Sequence, residues 1–94
     1  MNTSVVLADE VKTNITGLVI KELSCNNLNN YSGNIVNRSS QRINGIVTVY
    51  SYDSDGDPIG QCKSRVDLGP KSGNSFYASV CNCYRSKSVK IEVE

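Results

Sequence analysis

Several stretches of the chain alternate between apolar and polar residues, and this period of two limits the folds available to it. Near the end, Val89, Ile91 and Val93 alternate with charged residues, so the segment is expected to form a strand with one buried and one solvated face. Ile46–Tyr52 is almost entirely β-branched or aromatic, which is the composition of a central strand. No stretch combines helical spacing of apolar residues with a capping signal. The pattern predicts an all-β protein.

Turn-forming residues separate the apolar runs. Gly, Pro, Asn, Asp and Ser cluster at 26–30, 37–40, 53–58 and 68–73, where they favour turns. They leave roughly six or seven short strands, an arrangement typical of an antiparallel β-sandwich. We therefore predict one sandwich domain over residues 14–94, with residues 1–13 forming a flexible N-terminal arm or an edge strand.

The four cysteines indicate disulfide bonds. Cys25, Cys62, Cys81 and Cys83 are an even number in a chain with a small core, as in proteins of oxidising compartments. Cys81 and Cys83 are too close along an extended strand to bond to each other. This leaves 25–81 with 62–83, or 25–83 with 62–81. The second pairing is favoured, because antiparallel strands flanking a turn at Gly69–Gly73 would place Cys62 opposite Cys81.

Two other states of the cysteines stay open. Four buried, reduced thiols would fit a cytosolic protein, and four thiolates could bind zinc. The spacing in Cys81-Asn82-Cys83 is one residue shorter than the usual zinc knuckle. With disulfides, we expect an extracytoplasmic protein that is periplasmic, secreted or lipoprotein-anchored.

The start of the chain bears on the same question. Met1–Ala8 has no basic segment and too short an apolar run for a signal peptide. Either the protein is cytosolic or its native signal is absent from this sequence, and the cysteines favour the second alternative. No stretch approaches the ~18 apolar residues of a membrane span. We therefore predict that the chain has no membrane span.

Residue content and charge argue against several functions. The sequence has no His, which removes the commonest general base and every Ser–His or Cys–His nucleophile pair. Ten basic and nine acidic residues give a net charge of +1, which is not the electrostatic footprint of a nucleic-acid-binding protein. We predict no enzymatic activity, no catalytic residue, no cofactor and no nucleic-acid partner.

Asp53, Asp55 and Asp57 are the candidate metal ligands, because Ca²⁺ prefers several oxygen ligands. Counted from Asp53, Pro58 and Ser64 stand where an EF-hand requires Gly and Glu. An acidic hairpin turn explains the same residues. We favour the turn and predict no metal site; a calcium-dependent carbohydrate-binding module is the competing hypothesis.

Tyr50 and Tyr52 are the candidate interaction residues. Two residues apart on one strand, they project to the same face. If Val47 and Val49 point inward, both tyrosines face outward, and tyrosine is enriched in binding hot spots. Alternatively, they stabilise an exposed sheet face through cross-strand pairs.

Lys63 and Arg65 also share a face of their strand, because they are two residues apart. They could form part of an anion-binding patch. Charges that keep an edge strand from pairing are the preferred explanation.

Five motifs follow one another from about residue 15 to the C-terminus. They are Gly33–Asn37 (G-x-V-x-N), Val49–Asp53 (F-x-L-Y-D), Gly56 with Ile59-Gly60 (D-x-x-G-x-x-[IL]-G), Leu68–Pro70 with Phe76 (L-x-P-G-E-x-x-x-F), and Val89–Val93 as the closing strand. In this order they resemble the FxLYD domain, a bacterial immunoglobulin-like β-sandwich. The resemblance implies an immunoglobulin-like fold of about six to seven strands and an exported, non-catalytic domain, and it assigns no functional residues.

Together, these observations predict a non-catalytic, exported bacterial β-sandwich that acts in protein interaction or surface assembly. The partner is expected to be another protein, and the sequence does not indicate an oligomeric state. The alternative is a small inhibitor or immunity protein that binds and blocks an enzyme or toxin.

Overall fold

The structure is a computed structural model that describes residues 5–94, with side chains described from residue 7 onward. These residues form seven strands: β1 (Val5–Lys12), β2 (Leu18–Cys25), β3 (Tyr31–Asn37), β4 (Ile43–Tyr52), β5 (Pro58–Leu68), β6 (Ser72–Ala78) and β7 (Ser88–Val93). The described part of the chain contains no helix that could cross a membrane. The all-β prediction is confirmed.

The strands form two antiparallel sheets. Sheet A has the order β1-β2-β3-β6, and sheet B has the order β5-β4-β7. The chain completes β1 to β3 in sheet A, crosses for the β4–β5 hairpin, returns for β6 and ends with β7 in sheet B. The division into four and three strands matches that of an immunoglobulin constant domain, although the strand order differs. The predicted antiparallel sandwich of six to seven strands is confirmed.

Alternation within the strands produces the core between the sheets. On β4, the central strand of sheet B, Val47 and Val49 are completely buried. Opposite them, β2 and β3 of sheet A contribute Ile20 and Ile35, and β6 contributes Phe76. Since β-branched residues pack well on a pleated surface, the apolar run that predicted a central strand also supplies the core.

The segment predicted as an arm or an edge strand contains β1, which pairs with β2 at the edge of sheet A. Residues 1–4 lie outside the described residues. After β1, Thr13 bridges to Ile91 of β7. Asn14 then accepts a hydrogen bond from the Val93 N–H at 2.7 Å and donates one to the Val93 carbonyl at 3.1 Å. This link joins the two sheets along β7.

A buried hydroxyl network also connects the sheets. The Tyr31 hydroxyl on β3 lies 2.6 Å from the Ser51 hydroxyl on β4 and donates to Ser86 Oγ at 3.2 Å. Ser86 in turn donates to the Ser88 carbonyl at 3.0 Å. Because each buried hydroxyl has a partner, the network avoids the penalty for unsatisfied polar groups in a core.

Asn37 stabilises the end of the sandwich that lies opposite this hydroxyl network. Its side chain is completely buried and donates to the carbonyls of Gln41 at 2.8 Å and Gly69 at 2.9 Å. These acceptors belong to the two crossovers β3–β4 and β5–β6. Asn37 Oδ1 also accepts the Ser39 N–H at 3.0 Å, as in an Asx-turn. One amide therefore holds both crossovers together.

Candidate functional site

Three loops meet at one end of the sandwich, which we call the loop end: residues 26–30, 53–57 and 79–87. Backbone hydrogen bonds join the third loop to its neighbours. The Cys81 N–H donates to the Asn29 carbonyl at 2.8 Å, and the Lys87 N–H donates to the Tyr52 carbonyl at 2.8 Å. The Tyr84 N–H donates to Asn29 Oδ1 at 2.9 Å. The β6–β7 loop is thus attached to both other connections.

Two disulfide bonds, Cys25–Cys83 and Cys62–Cys81, lock the loop end. All four cysteines are buried. The pairing is the one that hairpin arithmetic favoured, but the strand geometry behind that argument is wrong. β5 and β6 belong to different sheets, and Cys81 follows β6 instead of lying on it. Each disulfide therefore fastens the β6–β7 loop to a strand, one in sheet A and one in sheet B. The disulfides indicate an oxidising, extracytoplasmic environment.

The same loop lies directly against β5 at Gly60. A Cβ atom at Gly60 would come within 2.5 Å of the Cys81 carbonyl oxygen and 2.8 Å of Asn82 Cβ, distances shorter than van der Waals contact. Asn82 also donates its side-chain amide to the Ile59 carbonyl. Close approach at a glycine, together with the neighbouring disulfide, seats the loop on the strand.

Large apolar side chains project from the loop end instead of packing into the core. Leu28, Val80 and Tyr84 expose 72%, 84% and 70% of their surface. Val80 has φ of +58°, an unfavourable conformation for a β-branched residue. Its N–H donates to Asn30 Oδ1 at 3.1 Å, so the conformation is held from the neighbouring loop. Strain of this kind clusters at functional sites.

A surface depression of about 740 Å³ is lined in part by Tyr84. Its lining combines three amides, one aliphatic side chain, one aromatic ring and one guanidinium: Asn27, Asn29, Asn82, Ile59, Tyr84 and Arg85. Within residues 5–94, Arg85 takes part in no ion pair. The depression therefore offers apolar contact area beside an accessible positive charge.

The acidic cluster occupies the β4–β5 turn. Asp53 Oδ1 accepts the N–H groups of Asp55 at 2.9 Å and Asp57 at 3.0 Å, and Gly56 has φ of +82°. Carboxylate oxygens of the three aspartates lie within 4.8 Å of one another. The hydrogen bonds and the positive φ are the requirements of a tight turn, so the turn accounts for Asp53 and Gly56 without a metal ion.

Tyr50 and Tyr52 lie on the outer face of sheet B, because Val47 and Val49 point inward. Both tyrosines are only half-exposed. Tyr50 sits between Gln61 on β5 and Lys90 on β7, whose side chains flank it. The two tyrosines are therefore less accessible than Tyr84.

Sequence reasoning did not select Leu28, Val80 and Tyr84 as candidate interaction residues. A usable signal was present, because Val80 and Tyr84 immediately flank Cys81–Cys83, and large apolar residues beside two disulfides have little room to move into a core. No family model, curated protein or solved structure matches the chain. The resemblance to the FxLYD domain stays a prediction.

Proposed function

We propose that the protein is a non-catalytic, extracytoplasmic binding module whose loop end contacts a protein partner. The exposed, strained Val80, which immediately precedes the disulfide-bonded Cys81, carries this proposal. The positive φ of Val80 costs folding free energy, and its apolar side chain is left in water. Contact between that side chain and a partner would explain why both features are retained.

The scaffold supports this function. Binding residues are commonly found on loops that a rigid sandwich positions. The loop end is rich in Asn and Ser and also carries Tyr84 and Arg85, residue types that binding loops use for large contact area and adaptable hydrogen bonds. Because the disulfides already restrict the loop, less conformational entropy is lost on binding.

The charges at the loop end indicate the partner's chemistry. Arg85 and Lys87 lie on the β6–β7 loop, and Asp55 and Asp57 lie on the neighbouring β4–β5 turn. A complementary protein surface would present an apolar patch with a carboxylate on one side and a basic group on the other.

We further propose that the compartment is periplasmic, extracellular or at a bacterial cell surface. The two buried disulfides support this, since such bonds persist in oxidising environments. The FxLYD resemblance adds the bacterial origin and the expectation of export. Alkylation without reductant, in denaturant, of the protein isolated from its producing cell tests the disulfides that support this compartment. Modification of all four cysteines would contradict it.

Matched tyrosine variants test the binding surface. A photoreactive residue at position 84 is expected to cross-link one discrete protein of different sequence in the extracytoplasmic fraction of the producing cell. The same group at position 77 is not expected to cross-link that protein. With that partner purified, Tyr84→Ala should weaken binding by about 30-fold, the effect of a hot spot worth about 2 kcal/mol.

Tyr77→Ala is the control for this experiment, because Tyr77 is also exposed but belongs to a strand and not to a loop. Its neighbours Phe76 and Ala78 are buried, so Tyr77 projects from the outer face of sheet A. Binding is measured at nanomolar concentration, so that self-association of the free protein does not contribute. Equal affinities of the two variants, or cross-linking of a different protein only from position 77, would contradict the proposal.

An inhibitor or immunity protein is the second candidate, and the protrusion of Val80 favours it, since a rigid projecting side chain can enter a partner's cleft. The partner is then an enzyme or a toxin. Loss of the partner's activity at stoichiometric binding would support this reading, and full activity in the complex would exclude it.

A further inference from the structure

The sandwich has four edge strands, and three of them carry features that oppose pairing with another chain. β1 has charged side chains and a bulge between Val6 and Ala8. β7 has charged side chains and is bridged by Thr13. β5 carries Lys63 and Arg65, both exposed. Charges and bulges are the usual protection of sheet edges.

β6 lacks this protection. Its sequence, Ser-Gly-Asn-Ser-Phe-Tyr-Ala, contains no charged residue and no proline. It pairs with β3 over all seven residues without a register shift. Along it, Gly73, Asn74, Ser75 and Tyr77 are exposed. An unbroken, uncharged edge is a template for another strand.

The hydrogen-bond pattern shows which backbone groups are free to pair. The Ser75 N–H donates to the exposed side chain of Asn74 at 2.8 Å, so it points away from β3. In an antiparallel ladder the direction alternates, and the backbone groups of Gly73 and Tyr77 therefore also point outward. Apart from this side-chain bond, the outward groups of these three residues have no partner within residues 5–94.

We propose that β6 pairs antiparallel with β6 of a second copy, about a two-fold axis at Ser75, which joins the two A sheets into one. Ser75 then lies opposite Ser75, and each Gly73 lies opposite Tyr77 of the second copy. All three are hydrogen-bonded pairs, which gives about six new backbone hydrogen bonds. Asn74 releases the Ser75 N–H on pairing.

Side chains and charges select a second copy as the occupant. Tyr77, which is 55% exposed, covers the bare backbone of the opposing Gly73, and this aromatic–glycine pairing stabilises sheets. No like charges would meet in a β6–β6 pair. In a β5–β5 pair centred on Ser64, by contrast, Lys63 would lie opposite Arg65 of the second copy, and the two positive charges would repel. The same seven residues are thus complementary to themselves.

One strand pair is a small interface, so the dimer should form in the micromolar to millimolar range and not at nanomolar concentration. The loop ends stay exposed at opposite ends of the joined sheet. The dimer therefore does not depend on the proposed binding function, and each of the two proposals can fail without the other.

Sedimentation equilibrium from about 10 µM to about 1 mM tests the dimer. The weight-average mass should rise from 10.2 kDa toward twice that value. Ser75→Pro removes an N–H that points outward, and it breaks no hydrogen bond to β3. Proline is tolerated at such a position of an edge strand. The substitution should weaken dimerisation at least about tenfold. The control Ser75→Ala keeps the N–H and should leave the dissociation constant within about twofold.

Three results would overturn the proposal: a wild-type monomer throughout, a dimer unaffected by Ser75→Pro, or equal loss in both variants. Hydrogen exchange of the wild type keeps the test valid if Ser75→Pro does not fold. The amides of Gly73, Ser75 and Tyr77 should exchange more slowly at about 1 mM than at about 10 µM, and unchanged exchange would contradict pairing.

Discussion

Removing the two disulfides one pair at a time should destabilise the protein to different extents. Cys25–Cys83 joins residues 58 apart in the sequence, and Cys62–Cys81 joins residues 19 apart. A cross-link restricts the unfolded chain more when the loop it closes is longer. Replacing Cys25 and Cys83 by alanine should therefore cost more than replacing Cys62 and Cys81.

The magnitudes follow from the two separations. Loop-closure entropy gives about 4 kcal/mol for the longer loop and about 3 kcal/mol for the shorter one. Each variant keeps one disulfide, so the two variants should differ in stability by the difference between these values, about 1 kcal/mol. A chain of 94 residues has a total stability of only about 5–14 kcal/mol. Loss of both bonds should leave little or no folded protein.

Urea unfolding of the oxidised protein and the two double-alanine variants measures these differences as shifts in midpoint and slope. Both variants lose two buried sulfur atoms, so the packing loss is similar and their difference reports mainly on loop closure. The reasoning is refuted if removal of either disulfide lowers the free energy of unfolding by less than about 1 kcal/mol. It is also refuted if the variant without Cys62–Cys81 is less stable than the variant without Cys25–Cys83 by more than about 1 kcal/mol.

Three further predictions concern single residues. Tyr31→Phe leaves the buried Ser51 hydroxyl without its partner and Ser86 with only the Ser88 carbonyl. It should lower the free energy of unfolding, measured in urea, by about 1–3 kcal/mol, whereas no loss would show that water satisfies Ser51. Val80→Gly relieves the strain of the positive φ, and this gain exceeds the loss caused by the greater flexibility of glycine in the unfolded chain. The free energy of unfolding should therefore rise by about 0.5–1 kcal/mol, and a decrease would argue against strain. The Arg38 side chain, 2.6 Å from Glu10, holds the pKa of that carboxyl below its usual 4.5 by hydrogen bonding. Its stabilising effect should be present above pH 4.5 and lost as pH falls through the lowered pKa, and in an NMR titration Arg38→Gln should return the pKa of Glu10 toward 4.5.

The strands were predictable because burial of one face of a strand produces an alternating pattern within that strand's own residues. On β4 the alternation of Val47 and Val49 with outward residues follows from having one face against a core, so the sequence carries it directly. The assignment of strands to sheets is different. The turn at Gly69–Gly73 has hairpin composition, yet it connects β5 in one sheet to β6 in the other. Turn residues determine a change of direction and not the strand that becomes the neighbour.

The loop end was less predictable because its features depend on contacts between distant segments. The cysteine pairing could be reduced to two options, but Gly60 against Cys81 is a contact between strand β5 and a loop that is distant in the sequence. The exposure of Val80 likewise depends on its hydrogen bond to Asn30, which lies 50 residues away in the sequence. The partial covering of Tyr50 comes from strands on both sides. The spacing of residues along the chain does not indicate which distant segments come into contact.

Backbone ¹⁵N relaxation of the oxidised protein tests most directly whether the disulfides hold the loop end as a rigid binding surface. Val80, Asn82 and Tyr84 should show order parameters of about 0.85, equal to those of the β-strands. Order parameters below about 0.6 across residues 79–87 would contradict the account.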